Sequence, residues 1–267
     1  MKLPNLPTEK KDKQIYFLCA MPRSGNTLFA SIMNQNPDLV VTSNSIVLEI
    51  LKALYYMKQS NFFKNFPDEQ SFNNVMNSVF DCYYKNWDYK IILDRSPACT
   101  PGNLMILQKH FRRPVRCVVI LRDLLDVLAS YIKMFETHEN SFFNRYKTLD
   151  EKLKAVMHKD GAVAKELRSI KYLLHHPEMA LFIKYDDLVV NPEKELRKVY
   201  AFLNLPYFPH KFIDLDQLTI HGIQYNDDDH LGGEMHTIRT NKIGKEYNPY
   251  KAMIPERFVK EYGHIRF

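Results

Sequence analysis

Ile15–Ala20 (IYFLCA) is a short apolar run with aromatic and β-branched residues, and it breaks at once into Met21-Pro22-Arg23-Ser24-Gly25-Asn26-Thr27. An apolar run of that length, bounded by Pro and Gly, reads as a buried strand. Leu28, Phe29, Ile32 and Met33 follow at roughly helical spacing, and Pro37 closes the helix. The unit is strand, glycine-containing turn, helix. Three more apolar runs extend the pattern: Ile91–Leu93 before Asp94, Val115–Leu121 with Arg122 at its end, and Ala180–Tyr185. Asp123 is placed to cap a helix after Arg122, and Asp126, three residues on, to answer the cap. Pro192–Asn204 is amphipathic, with Leu196, Val199, Tyr200 and Leu203 on one face, and stops before Pro206. Buried strands alternating with helices imply an α/β fold with a central, mostly parallel sheet and helices on both faces. Ligands of such sheets bind beyond the carboxyl ends of the strands. Arg23, Asp94, Arg95, Arg122 and Tyr185 all fall at expected strand ends, so they should converge on one rim.

Composition sets the scale. The chain has 267 residues, 45% hydrophobic and 25% charged, with no repeat or low-complexity tract. At ~150 residues per domain the length allows one large domain or two small ones, and the chain is read as an N-terminal extension over 1–14 and a single domain over 15–267. The net charge of +6 favours an anionic ligand and does not require nucleic acid. Met1–Lys13 is polar and lacks the apolar stretch of a signal peptide. No run approaches the ~18 apolar residues of a membrane span. Cys19, Cys82, Cys99 and Cys117 show no CxxC spacing, so reduced, structural cysteines and a cytoplasmic setting are expected.

Glycine is scarce: eight in the chain, and only Gly25 in the first hundred residues. Its loop joins a strand to a helix N-terminus, where unpaired backbone N–H groups favour an anion. Gly25 permits close approach, Ser24, Asn26 and Thr27 add neutral donors, and Arg23 adds a forked cation suited to phosphate or sulfate. The alternative is a tight turn in which Ser, Asn and Thr cap the helix. The loop lacks the second Gly and the Lys of GxxxxGK[ST]. Further on, Arg122 ends a strand and Ser130 lies two turns into the next helix, a pair able to hold a second anionic group. The alternative there is an Arg122–Asp126 ion pair. Tyr55-Tyr56, Phe62-Phe63 and Tyr83-Tyr84 lie between the first loop and Asp94 and suit either core packing or an acceptor site.

Together, PRSGNT and RDLLDVLAS resemble the two cofactor-binding signatures of the sulfotransferases that use 3′-phosphoadenosine 5′-phosphosulfate (PAPS). The resemblance implies that the first loop binds the 5′-phosphosulfate and that Arg122 and Ser130, eight positions apart, bind the 3′-phosphate. Tyr185-Asp186-Asp187-Leu188, with Asn191-Pro192 downstream, is similar to a family segment whose Tyr contacts the adenine side. Leu93-Asp94-Arg95-Ser96-Pro97 lies where family members carry a basic residue near the transferring sulfuryl group. The similarity runs from about Ile15 to Leu205, with His236-Thr237-Ile238-Arg239 as an extension expected to fold over the cofactor. An Arg in the first loop is more like the tyrosylprotein and bacterial-type enzymes, and the RKGxxGxWK segment of the cytosolic hormone and phenol enzymes is absent.

The implied reaction is in-line sulfuryl transfer from PAPS to a hydroxyl or amine of a small-molecule or glycan acceptor, leaving the bisphosphate product PAP. Arg23 and the loop amides would meet charge on the leaving phosphate, and Arg95 charge on the sulfuryl oxygens. By the same resemblance no metal is needed. The general base is Asp94, Glu49 or a His such as His236 or His110, or there is no dedicated base. Arg95 beside Asp94 is expected to lower the carboxyl pKa. The rival readings are a P-loop-type nucleotide or small-molecule kinase, disfavoured by the missing Lys, and a non-catalytic nucleotide-binding protein of the same fold. Asp227-Asp228-Asp229-His230 reads as a solvated acidic loop, and His175-His176 as a helix end.

Overall fold

The computed structural model of the chain describes residues 13–96, 99–138, 141–216, 220, 243–244, 247–265 and 267. Its sheet has five parallel strands: β1 (Gln14–Ala20), β2 (Leu39–Asn44), β3 (Ile91–Arg95), β4 (Cys117–Leu121) and β5 (Ala180–Lys184), in the order β2-β3-β1-β4-β5. The expected mostly parallel sheet is therefore present, with one strand more than the sequence indicated. β2 (LVVTSN) went unread because its apolar half is only three residues long before it turns polar.

Alternation along the strands builds two cores, one on each face. Phe17 and Cys19 of β1 and Cys117, Val119 and Leu121 of β4 belong to one. Leu18 of β1 and Val118 and Ile120 of β4 belong to the other. The helices between the strands are α1 (Asn26–Met33), α2 (Val47–Met57), α3 (Asn61–Asn65), α4 (Glu69–Tyr84), α5 (Pro101–His110), α6 (Leu124–Thr137), α7 (Leu149–Met157) and α8 (Ala162–Leu174). After β5 come α9 (Tyr185–Val190), α10 (Pro192–Phe202) and α11 (Glu256–Tyr262). Phe29, Ile32 and Met33 of α1 and Leu196, Val199 and Tyr200 of α10 cover the Leu18 face. Leu48 and Leu51 of α2, Leu104 and Leu107 of α5, and Leu124 and Leu128 of α6 cover the Phe17 face.

This division positions the site. β1 sends its helix to one face, whereas its neighbours β3 and β4 send theirs to the other. The connections splay apart above β1 and leave a crevice at the carboxyl ends, where ligands of such sheets bind.

One expectation is corrected. Cys19 and Cys99 form a disulfide rather than two free thiols, across a sequence separation of 80 with Cα atoms 6.2 Å apart. Cys19 lies late in β1, and Cys99 stands just before Thr100, which caps α5. Tertiary packing makes the pair, so no short spacing announced it. Buried Cys117 keeps a free thiol, within 4.8 Å of both partners, that burial pushes up to about 12. No helix among the described residues is long and apolar enough to cross a membrane.

Candidate active site

The turn after β1 is tight. Ser24 N donates to Met21 O at 3.2 Å, and Phe29 N donates to Gly25 O at 2.9 Å. Arg23 and Gly25 both adopt left-handed backbone, with φ of 68° and 94°. Gly25 carries that freely, whereas Arg23 carries a strain of about 1–2 kcal/mol. Gly25 is the N-cap of α1, and no side chain caps this helix. Capping by Ser24, Asn26 or Thr27 is thus not what the loop does. The first-turn N–H groups face the rim without an intrahelical partner. Ser24 Oγ and Asn26 Oδ1 are buried and lack a hydrogen-bond partner among the described residues. Buried polar atoms are normally paired, so these two set the loop apart from an ordinary helix-starting turn.

The second motif closes onto the first. Arg122, the residue after β4, donates from Nη1 to the Arg23 carbonyl at 2.6 Å. Ser130 on α6 accepts from Arg23 Nε at 3.1 Å. The Arg122 guanidinium lies 4.4 Å from the centroid of the Tyr185 ring. Tyr185 opens α9 rather than ending β5, and its ring covers Gly25: a Cβ there would stand 2.5 Å from Tyr185 Cδ2. Arg23, Ser24, Gly25, Asn26, Arg122, Ser130 and Tyr185 are therefore one cluster, with Thr27 in the first turn of α1. The Arg122–Asp126 ion pair is not formed. Asp126 pairs with Lys251 at 2.7 Å, while Asp123 caps α6 by accepting from the backbone N–H of Leu125 and Asp126. Sequence reading missed Lys251, which comes from a distant C-terminal segment.

Asp94 and Arg95 end β3 on the other side of the crevice. Arg95 N donates to Thr42 Oγ1 at 2.8 Å, and Ser45 N donates to the Arg95 carbonyl at 3.2 Å. Asp94 is fully buried, and its Oδ2 accepts from Ser45 Oγ at 2.6 Å and from the Tyr84 hydroxyl. Oδ1 and the nearby Ser96 Oγ are buried without a partner of good geometry among the described residues. The expected lowering of the Asp94 pKa is corrected: burial raises it above the usual carboxylate range and outweighs Ser45, Ser96 and Tyr84, all of which favour the ionised form. Burial and the Asp94 charge likewise push the Tyr84 phenol above its ordinary value. Ser45 and Tyr84 had no signal of their own, because nothing in a lone Ser or a Tyr-Tyr pair announces a carboxylate partner.

The other base candidates fall elsewhere. Glu49 is exposed in the first turn of α2 and pairs with Lys52 at 3.5 Å. His110 is the last residue of α5, and α5 leads away from the carboxyl rim. Its Nδ1 meets Asn77 Oδ1 at 3.1 Å, its ring lies beside Tyr55, and burial lowers its pKa. His110 is therefore away from the crevice. His236, Arg239 and the Asp227–His230 run lie outside the described residues.

Comparison with known proteins turns this geometry into a family. The pattern defining the group described as "Sulfotransferase family" matches residues 16–209, most of the chain. The chain belongs to the sulfotransferase family. It is similar in fold to the sulfotransferase domain from the curacin biosynthetic pathway (TM-score 0.50, 16% identity, covering 97% of this chain and 93% of that one). Two further solved structures resemble it more loosely. One is the sulfotransferase domain of the Synechococcus PCC 7002 olefin synthase (TM-score 0.49, 15% identity, 100% of each chain). The other is the mouse sulfotransferase SULT7A1 complexed with PAP (TM-score 0.44, 16% identity, 73% and 61%). No curated protein matches the sequence. The sulfotransferase activity and P-loop-like fold of the family thus meet a rim whose basic groups converge over β1.

Proposed function

We propose that the chain transfers a sulfuryl group from PAPS to a hydroxyl or amine of a small-molecule or glycan acceptor, releasing PAP. One observation carries the donor assignment: an uncapped helix N-terminus holds two buried polar atoms without a partner among the described residues, Ser24 Oγ and Asn26 Oδ1, and two arginines converge on the same turn. That arrangement suits a small ligand with charge at two points. Arg23, Ser24, Gly25, Asn26 and Thr27 hold the 5′-phosphosulfate, and backbone N–H groups supply much of the binding. Arg122 and Ser130 hold the 3′-phosphate. Arg122 is kept in place by the Arg23 carbonyl and the Tyr185 ring, so little side-chain freedom is lost on binding. Tyr185 offers its ring to the adenosine side, and the family resemblance assigns His236 and Arg239 to the cosubstrate as well.

Catalysis in this reading is positioning plus fixed charge. Arg23 and the loop amides neutralise charge building on the leaving phosphate, and Arg95 steadies the sulfuryl oxygens from β3. Asp94 is the carboxylate beside Arg95 that receives the acceptor's proton. The test is mass spectrometry of mixed phenols, alcohols and saccharides incubated with PAPS and the chain. Sulfated acceptor and released PAP are expected. Phosphorylated acceptor from ATP and magnesium, with none from PAPS, would establish a kinase instead.

A further inference from the structure

Asp94 has a difficulty as a base: neither it nor Tyr84 is exposed at all. An acceptor hydroxyl on the rim cannot touch the carboxylate. Ser45 can bridge the gap. It is the half-buried member of the trio, and its Oγ donates to Asp94 Oδ2 at 2.6 Å, a short charge-assisted geometry. Its place is well defined. The β2–β3 register sets Asn44 opposite Arg95, and Ser45 N donates to the Arg95 carbonyl. Ser45 therefore stands beside the residue assigned to the sulfuryl oxygens, at the carboxyl rim that also carries the Arg23 loop.

We propose that Ser45 is the group that touches the acceptor, taking its proton while passing its own to Asp94, with Tyr84 holding the carboxylate in line. The inference rests on the sulfuryl-transfer reading above and adds the proton path. The acceptor O–H bond breaks as Ser45 Oγ gains that proton, and the original Ser45 proton moves to Asp94 Oδ2. The acceptor oxygen bonds to sulfur as the bond from sulfur to the phosphate oxygen breaks, and the electron pair leaves with the phosphate. After product release the proton returns from Asp94 through Ser45 to solvent. Asp94 and Tyr84 are thus positioning and proton-holding residues, and Ser45 is the catalytic one. Around Asp94 stand Tyr84 and Tyr83 from α4, Ser45 ahead of α2, and Arg95 and Ser96 along its own strand end; of these the two tyrosines and Arg95 are ionisable. Burial raises the carboxyl above the usual carboxylate range.

The test measures PAP release from PAPS in a mixture of phenols, saccharides and aliphatic alcohols, with PAP affinity measured separately by calorimetry. Ser45→Ala is expected to bind PAP as the wild type does and to lose ~10²-fold or more in kcat, the usual size of acid–base assistance. Ser45→Thr restores most of the loss because it keeps the hydroxyl. Wild-type kcat rises with pH along one acid limb. Asp94→Asn flattens that limb, and Tyr84→Phe moves it upward by removing a hydrogen bond to the ionised carboxyl. If Asp94→Asn does not fold, the Ser45 pair still decides the matter. Turnover of Ser45→Ala within about two-fold of wild type, with an unchanged limb, overturns the relay alone. A wild-type chain that neither binds PAP nor consumes PAPS removes the donor reading, and the relay with it.

Discussion

The two sides of the crevice handle charge in opposite ways. Over β1 and β4, cations are held at the rim by neutral partners: Arg23 by the Ser130 hydroxyl, Arg122 by a backbone carbonyl and an aromatic face. Neither the carbonyl nor the aromatic face neutralises the Arg122 guanidinium. Over β2 and β3, a carboxylate is withdrawn from the rim and surrounded by hydroxyls. In the proposed reaction the first side binds the anionic cosubstrate and the second holds a proton. The Cys19–Cys99 disulfide joins them, because it ties β1 to the connection after β3.

The largest expected effect tests that tie. Replacing Cys19 and Cys99 by Ser should cost about 2–5 kcal/mol, the range for a bridge closing a long loop, in urea denaturation. A loss under about 1 kcal/mol would mean that the two sides hold together without it. Next comes the contrast in ligand binding. Arg122→Ala should weaken PAP by about 1.5–3 kcal/mol, the size of a hydrogen bond to a charged group, whereas Asp94→Asn leaves PAP affinity unchanged. Equal losses in calorimetry would erase the distinction between the sides. Gly25→Ala should destabilise by about 1–2 kcal/mol through its left-handed backbone, and should weaken PAP further by displacing Tyr185. Smaller still, Lys251→Ala should cost roughly 0.5 kcal/mol of stability, as befits a half-exposed ion pair, and should change PAP affinity less than Arg122→Ala does.

The buried carboxylate also has a pH signature. Its folded pKa is raised, so the stability it contributes is complete below its unfolded value of about 3.9 and is lost as pH rises through the folded value. Across that window the wild type should lose stability relative to Asp94→Asn. Parallel curves for the two proteins would show that Asp94 titrates in the folded chain as it does in the unfolded one.

How legible each side was follows from the same contrast. Gly25, Arg23, Arg122 and Ser130 belong to contiguous segments whose spacing sets their geometry, and the sheet order brings the segments together. Their partners inside the cluster were not legible: Ser130 accepts from Arg23, and Asp126 turns to Lys251 rather than to Arg122. The proton-holding side was harder. Asp94 stood out, but its environment comes from the end of α4, the end of β2 and the burial they impose. Burial reversed the sign expected from its neighbour Arg95. The disulfide escaped for the same reason, since parallel strands pair residues far apart in the chain.

The central claim is that the rim binds one nucleotide at two anionic points. Isothermal titration of the chain with adenosine 3′,5′-bisphosphate and with adenosine 5′-monophosphate, for wild type and Arg122→Ala, tests it directly. The account predicts that wild type prefers the bisphosphate by at least about tenfold, and that Arg122→Ala brings the two ligands to nearly equal affinity. Equal affinity for the two ligands in the wild type would contradict it.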